Sequence, residues 1–307
     1  MTQDGITAET KVEWRQTLRT LGEAEGFFEE LGRQHSALHV ARGKTLIVTF
    51  ENLDHVFDFN DGKLPWGYDF VTNNGWSLLG LMAHDWTWYR DEAVLDFFDR
   101  LAREGFFEQF EKVVFYGASM GAYAAAAFSA AAPGATVVLI SPQATLSRDD
   151  ASWETRYRKA WSRDFSGRYG YAPDMLSDAD KVYLFYDPLA PLDAMHAALF
   201  RGANVLKLRC RYFGHRIASM WGRMGVLKPI VEGAITGTLS EKEFYHLLRE
   251  RRELRRYQRE MLERLEKIDR PGLIVIYCRA VLARSAGPRF RQAMTRAQRK
   301  LSGTKSQ

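Results

Sequence analysis

Ser119 has the sequence surroundings best suited to chemistry. It lies in the pattern Gly117-Ala-Ser-Met-Gly121, between the apolar run Lys112–Tyr116 and an alanine-rich run that starts at Ala122. A strand that turns tightly into a helix imposes strained backbone angles on a serine at the turn and pushes its hydroxyl out of the sheet. Both glycines fit this interpretation, because a side chain at either position would collide with the strand or the helix. We therefore predict that Ser119 is a nucleophile.

The segment around Ser119 resembles the nucleophile elbow of the α/β-hydrolase superfamily, whose Gly-x-Ser-x-Gly pattern it matches in full. The resemblance implies a catalytic triad of serine, acid and histidine in that chain order. It places the acid directly after a late strand and the histidine in the loop after the last strand. Asp187 follows the apolar run Lys181–Tyr186, and His215 follows the run Asn204–Arg209 in a Gly-His step.

A serine hydroxyl is a weak nucleophile at neutral pH and needs an imidazole base that a carboxylate orients. We predict His215 as this base and Asp187 as its acid. Asp193 is the fallback acid, although its place at the start of a predicted helix favours a helix-capping role.

The attacked carbonyl oxygen becomes an anion, so the site also needs backbone donors. The resemblance implies that one donor is the N–H of Met120, directly after the nucleophile. The second would come from the loop after the first buried strand, where family members often carry His-Gly. This chain has Phe50-Glu-Asn-Leu53 there, and we predict the N–H of Asn52 as the second donor.

The elements that position these residues alternate between short β-branched runs and helical patterns. Strands are predicted at residues 45–50, 112–116, 136–140, 181–186 and 204–209, and helices at 11–33, 86–104, 122–132 and 191–200. Alternating strands and helices favour an α/β fold, a doubly wound and mostly parallel sheet. We expect a helical segment over residues 1–34, a hydrolase-like domain over 35–240 and a helical extension over 241–307.

Residues 146–180 interrupt this alternation and predict a helical cap or lid over the site. Trp153, Tyr157, Trp161 and Phe165 recur every four positions, which places them on one helical face. Such a face packs the insertion onto the domain or lines a substrate pocket, and packing is the more common case.

The extension is strongly basic. It holds 18 Lys/Arg against 8 Asp/Glu, a net charge of +10, so the first 240 residues carry a net charge of −5. A long charged helix over 241–267 and two shorter basic helices are predicted, and the stretch from Arg270 to Lys305 contains no acid. The extension could pair two copies of the chain, or meet nucleic-acid phosphates or an anionic membrane surface. The arginines considered for such contacts are Arg251, Arg252, Arg255, Arg256 and Arg259.

Several other classes of function lack their motifs. The turn at Gly117 has Ser119 and Ala122 where a dinucleotide-binding loop needs glycines, and neither a P-loop nor a His-Glu-x-x-His helix occurs. Cys210 and Cys278 lie far apart and each is followed by arginine, so neither a Cys-x-x-Cys pair nor a zinc knuckle can be drawn. We therefore predict no metal and no cofactor.

The chain also resembles an uncharacterised bacterial group whose members are sometimes labelled phosphoadenosine phosphosulfate reductase. Such a reductase needs a Ser-Gly-Gly-x-Asp-Ser loop and a carboxyl-terminal Cys-Gly-x-His segment. Neither sequence is present, so the residues do not support that label.

The chain is expected to be globular, because 46% of its residues are hydrophobic and 26% are charged. It is expected to be cytoplasmic, because no apolar stretch approaches the length of a membrane span and no apolar leader occurs at the start. The predicted function is a serine hydrolase acting on a small carboxylic ester or thioester. Two alternatives stay open. One is an acyltransferase that uses the same triad, and the other is a non-catalytic scaffold that works through its basic extension.

Overall fold

The computed structural model describes residues 8–52 and 67–303, with side chains described from residue 13 onward. The first seven residues, Leu53 of the predicted oxyanion loop and Lys305 lie outside these ranges. Within them, one sheet of eight strands organises the hydrolase-like part of the chain. The strands are β1 (Gly26–Leu31), β2 (His35–Val40), β3 (Thr45–Asn52), β4 (Ser77–Ala83), β5 (Lys112–Ala118), β6 (Thr136–Ile140), β7 (Lys181–Tyr186) and β8 (Val205–Arg209).

The strand order across the sheet is β1-β2-β4-β3-β5-β6-β7-β8. The pairs β1–β2 and β2–β4 are antiparallel, and every pair from β4 to β8 is parallel. Parallel strands end at the same edge of a sheet, and ligands of open α/β sheets bind outside those carboxyl ends. The ends of β3, β5, β6, β7 and β8 therefore define the edge where a site is expected.

Helices connect the strands and continue the chain beyond them. They are α1 (Ala8–Glu25), α2 (Tyr68–Asn73), α3 (Glu92–Arg103), α4 (Met120–Phe128), α5 (Pro191–Leu199), α6 (Ile217–Met224), α7 (Leu227–Thr236), α8 (Glu241–Leu247), α9 (Arg255–Lys267), α10 (Pro271–Leu282) and α11 (Pro288–Gly303).

A phenylalanine stack packs α3 and α4 against β3, the strand beside β5. Phe98 of α3 and Phe128 of α4 lie 4.2 Å apart between ring centroids, and Phe50 of β3 stacks on Phe128 at 5.9 Å. Burying one such ring stabilises the fold by about 1.5–3 kcal/mol. All nine residues of α4 are buried. Its run of alanines lets the helix approach the sheet closely, because alanine has only one carbon beyond the backbone.

Three predictions of secondary structure were wrong in extent. The predicted helix over residues 11–33 ends at Glu25, and residues 26–31 form the edge strand β1. The helix predicted from Trp86 begins at Glu92, where the side chain of Asp91 accepts a hydrogen bond from the N–H of Ala93 at 3.0 Å. The long helix predicted over 241–267 is interrupted by a 3₁₀ segment at Leu248–Glu253 and the extended Leu254.

The chain divides into two compact units. One comprises the described residues up to Ala218 together with Val231–Leu239, and it contains the whole sheet. The other comprises Ser219–Ile230 and the described residues from Ser240 on. The second unit has its own small core, in which Leu262 of α9, Cys278 of α10 and Phe290 of α11 are buried. No helix of the described residues is long and apolar enough to span a bilayer.

Candidate active site

Ser119 lies at a strained turn between β5 and α4. Its backbone angles are φ 54° and ψ −120°, outside the regions that a residue with a side chain normally adopts. Such strain costs on the order of 1–3 kcal/mol and persists only where the surroundings fix it. The N–H of Ser119 donates to the carbonyl of Ile140 at the end of β6 at 2.8 Å, which anchors the turn to the sheet.

The two flanking glycines are required by space, as predicted. A Cβ on Gly117 would lie 2.1 Å from the carbonyl oxygen of Gly121, and a Cβ on Gly121 would lie 2.3 Å from the carbonyl oxygen of Phe50. Both contacts are with backbone atoms that cannot move aside. The second contact also shows that the end of β3 packs directly against the first turn of α4.

A chain of hydrogen bonds leads away from the hydroxyl of Ser119. Its Oγ lies 2.8 Å from Nε2 of His215, and Nδ1 of His215 lies 3.0 Å from both carboxylate oxygens of Asp193. Asp193 is buried, with 1% of its surface exposed. Burial raises the pKa of its carboxyl, but the contacts with His215 and Arg156 outweigh burial and leave the pKa below its ordinary value. Asp193 is therefore an anion that can hold Nδ1 of His215 in the protonated state.

The carboxylate that contacts Nδ1 of His215 is therefore that of Asp193 and not that of Asp187. Asp187 is also buried, but its two oxygens accept hydrogen bonds from the N–H groups of Leu189 at 2.9 Å and Gly214 at 2.8 Å. Its pKa is raised because burial penalises its charge more than these bonds compensate. Asp187 fixes the loop that precedes His215. The helix-capping role expected for Asp193 is also wrong, because α5 begins after Ala190 without a side-chain cap.

Arg156, from the insertion at residues 146–180, reaches the same carboxylate. Its guanidinium donates to Oδ1 of Asp193 at 2.6 Å and to both oxygens of Glu154, the closest at 2.6 Å. Glu154 has no exposed side-chain surface and also lies 3.1 Å from Nε2 of His196. Burial opposes the charge of Glu154, but the bonds from His196 and Arg156 lower its pKa to about 2. The insertion therefore holds Asp193 through a buried, charged network.

The tautomer of His196 follows from its partners. Its Nδ1 accepts the N–H of Ala144 at 3.2 Å, so the ring proton lies on Nε2 and points to Glu154. The pKa of His196 is lowered, mainly by burial. A neutral His196 therefore donates to Glu154 without adding a second cation beside Arg156.

Tyr157 is the second contribution of the insertion. Its hydroxyl lies 3.2 Å from Nε2 of His215, the same nitrogen that Ser119 contacts. Its ring packs on Trp88 with centroids 4.9 Å apart, and Nε1 of Trp88 donates to Gln143 at 3.1 Å. The sequence singled out Tyr157 only as an aromatic residue. The only sign in the sequence that Tyr157 lies near the site is its position in the insertion that was predicted to cover it, next to the charged residue Arg156.

The helical face predicted for the insertion was wrong. The segment consists mainly of turns, with short 3₁₀ helices at Arg158–Ala160 and Ala172–Leu176. Its aromatic residues contact different partners because no shared helix aligns them. Trp153 packs on His196, Tyr157 on Trp88, Trp161 under the guanidinium of Arg148 and Phe165 on Tyr123.

The two predicted oxyanion donors lie on the elements that meet at the elbow. Met120 is the first residue of α4 and Asn52 the last of β3, and both are buried. The hydroxyl of Tyr89 donates to the carbonyl of Glu51 at 2.6 Å and fixes the backbone just before Asn52. Their role as donors stays a prediction.

The site residues occupy the carboxyl ends of their strands: Ser119 after β5, Asp193 in the helix after β7, and His215 in the loop after β8. A mostly parallel sheet of this order, with antiparallel strands at one side and a strained serine after the central strand, decides the fold. The fold is that of an α/β-hydrolase. Within this hydrolase fold, the present chain uses Asp187 to hold the loop before His215, and its insertion contacts His215 through Tyr157.

Comparisons with known proteins give fold-level likenesses only. No protein-family model and no curated protein matches the sequence. An esterase from Pyrobaculum calidifontis is 15% identical, with a TM-score of 0.44, 78% of this chain covered and 96% of that chain. A carboxylesterase cloned from a metagenomic library is 13% identical, with a TM-score of 0.40 and coverage of 78% and 100%. The capsule O-acetyltransferase of Neisseria meningitidis serogroup A is 14% identical, with a TM-score of 0.39 and coverage of 71% and 99%. Scores of this size carry no conclusion about activity.

No group of three or more His, Cys, Asp or Glu side chains within the described ranges could hold a metal ion. Cys210 and Cys278 are both buried thiols. Burial raises the pKa of the Cys278 thiol to about 11, which keeps it protonated at neutral pH and makes it a poor nucleophile.

Proposed function

We propose that the chain is a serine hydrolase that cleaves a small carboxylic ester or thioester through an acyl-enzyme on Ser119. The observation that carries the proposal is the continuous set of contacts from Ser119 Oγ through His215 to the anionic Asp193. Serine, imidazole and carboxylate in this arrangement are the groups that activate a hydroxyl for attack on a carbonyl.

The proposed reaction follows from the state of each group. Asp193 keeps the proton of His215 on Nδ1, so Nε2 is free to take the proton of Ser119 as its oxygen attacks the carbonyl. The resulting oxyanion would be held by the N–H of Met120 and, on our prediction, the N–H of Asn52. The proton on Nε2 then passes to the leaving group, and water attacks the acyl-enzyme by the same route in reverse.

An active-site-directed fluorophosphonate probe tests the proposal. We expect it to label the folded wild type, and we expect Ser119→Ala to remove both labelling and hydrolysis of a p-nitrophenyl ester. A matched control is Ser129→Ala, because Ser129 is a buried serine in the 3₁₀ turn after α4 and its hydroxyl donates to the carbonyl of Ala126 in the last turn of α4. This control should label like the wild type. A folded wild type that does not label would refute the proposal.

Acyl transfer to an alcohol is a second candidate that one observation favours. Arg156 and Tyr157 of the insertion lie directly against Asp193 and His215. A covered site can restrict water and favour another acceptor. Adding a polyol acceptor to the esterase assay distinguishes the two activities, because transfer yields the polyol ester and hydrolysis yields the free acid.

The basic extension offers less free charge than its composition predicts. Five of its cations pair with acids of the same unit: Arg256 with Glu260, Arg284 with Glu253, Arg289 with Glu263, Arg296 with Glu266 and Lys300 with Asp269. In the part of the chain that the structure describes, the exposed residues Arg270, Arg279, Arg291 and Arg299 have no ion pair. Binding of an anionic partner by the extension stays a proposal, and these four residues of its acid-free stretch are the cations that we test for it. Salt-dependent retention of the full chain on heparin, lost when all four are changed to glutamine, would support it. Pairing of two copies is tested by the mass of the protein in solution.

A further inference from the structure

Nε2 of His215 is the atom where protons must be exchanged in the proposed reaction. With the ring proton on Nδ1, this nitrogen has one lone pair, and Ser119 Oγ lies 2.8 Å from it. Once it has taken the proton of Ser119, it must deliver that proton to the leaving-group oxygen. That oxygen must therefore come within hydrogen-bond distance of Nε2.

Tyr157 already has a hydroxyl in this zone, 3.2 Å from Nε2. This hydroxyl also bonds the side chain of Ser119, so it lies beside both groups that exchange the proton. A leaving-group oxygen that comes within hydrogen-bond distance of Nε2 therefore also comes close to the hydroxyl of Tyr157.

The position of Tyr157 is fixed from two directions. Trp88 packs on its ring and is itself tied to Gln143, and the guanidinium of Arg156 lies 5.0 Å from the ring centroid. Burial raises the pKa of the Tyr157 phenol. The hydroxyl is thus protonated at neutral pH and can donate a hydrogen bond.

We propose that Tyr157 is a catalytic residue that donates a hydrogen bond to the leaving-group oxygen while the acyl carbon–oxygen bond breaks. The bonding electrons move to that oxygen, the proton on Nε2 of His215 moves to the same oxygen, and Tyr157 keeps its own proton. The inference rests on the proposed function and deepens it. It assigns the site to esters of unactivated alcohols, whose leaving oxygen needs this help, rather than to phenolic esters.

The test compares two esters with the same acyl group, ethyl acetate and p-nitrophenyl acetate, in the wild type and Tyr157→Phe. The value of kcat/KM reports the steps from substrate binding to formation of the acyl-enzyme, so it includes departure of the leaving group and excludes hydrolysis of the acyl-enzyme. Because p-nitrophenolate leaves without help, we expect its kcat/KM to change less than about threefold. The value for ethyl acetate should fall about 10- to 100-fold, as for the loss of a hydrogen bond to a developing charge.

Tyr169→Phe is the matched control. Tyr169 belongs to the same insertion, but its hydroxyl donates to Asp99 of α3 at 2.5 Å. The ratio of the two kcat/KM values should not change in this variant. An equal change on both esters, no change on either, or a rise in Tyr157→Phe would overturn the inference. If the wild type labels with the fluorophosphonate and hydrolyses p-nitrophenyl acetate, such a result rejects the role of Tyr157 alone. If the wild type does neither, the proposed function itself fails.

Discussion

Replacing Asp193 by asparagine distinguishes the two candidate acids. In the wild type, Oδ1 of Asp193 accepts from Arg156 at 2.6 Å, and both oxygens lie 3.0 Å from Nδ1 of His215. Asparagine has one oxygen and one NH₂. The guanidinium of Arg156 can only donate, so it holds the amide oxygen and turns the NH₂ toward His215. The NH₂ takes the position of Oδ2, 3.0 Å from Nδ1, where it can donate only to a ring whose proton lies on Nε2, and that tautomer cannot accept the proton of Ser119.

The expected loss in kcat/KM is about 10³- to 10⁴-fold, the size of effect that a wrong imidazole tautomer has in a serine triad. At 1.36 kcal/mol for each tenfold change, this corresponds to about 4–5.5 kcal/mol of transition-state stabilisation. Loss of a charged hydrogen bond alone would account for only about 1.5–3 kcal/mol. The difference is the contribution of the tautomer.

The assay is the steady-state hydrolysis of p-nitrophenyl acetate, with circular dichroism to verify that each variant folds. Asp187→Asn is the control, because Asp187 holds backbone N–H groups of Leu189 and Gly214 and does not contact the imidazole. We expect it to lower Tm and to reduce kcat/KM by no more than about tenfold. A folded Asp187→Asn that loses more activity than Asp193→Asn would refute the assignment.

Three further predictions concern stability. Arg156→Met should lower the free energy of unfolding by about 3 kcal/mol or more, because it leaves the fully buried Glu154 without its cation. Denaturant unfolding measures this, and an unchanged midpoint would contradict the prediction. As the pH falls from 6.5 to 4, the protein should lose stability. Burial lowers the pKa of His35 to about 4, so His35 stays neutral in the folded protein while the same residue in the unfolded chain binds a proton. His35→Gln should reduce the slope of stability against pH by about one proton, and an unchanged slope would count against this cause. Gly121→Ala should prevent recovery of folded protein because its Cβ would lie 2.3 Å from the carbonyl oxygen of Phe50, and a normally folded variant would show that the turn can relax.

The elbow could be predicted from sequence because its pattern of residues is local. Strand, two glycines, serine and alanine helix follow one another within about twenty residues, and the steric contact of Gly117 with Gly121 forms inside that segment. The five predicted strands are also present, since short β-branched runs that are buried on both faces carry a clear signal.

The acid could not be chosen from sequence in the same way. Asp187 and Asp193 are six positions apart after the same strand, and which of them meets His215 depends on the path of a loop and a helix turn. The orientations of Arg156 and Tyr157 also depend on residues far away in the sequence. The aromatic residues of the insertion are spaced every four positions, as in a helix, but contacts with Trp88, Asp193 and His215 hold the segment in turns.

The antiparallel edge of the sheet was missed for a related reason. β1 contains paired phenylalanines and paired glutamates, Phe27-Phe28-Glu29-Glu30, a pattern that fits helical spacing better than alternation. Pairing with β2 overrides this local preference, and β2 itself is buried at every position, so it shows no alternation either.

The central claim, an acyl-enzyme on Ser119, is tested most directly by trapping it. The protein is mixed with p-nitrophenyl acetate, quenched in acid within the first turnovers, digested and examined by mass spectrometry. We predict an acetyl group on the peptide that contains Ser119, formed as fast as p-nitrophenol is released and absent from Ser119→Ala. Release of p-nitrophenol at an undiminished rate by Ser119→Ala, or an acetyl group found only on another residue, would contradict the account.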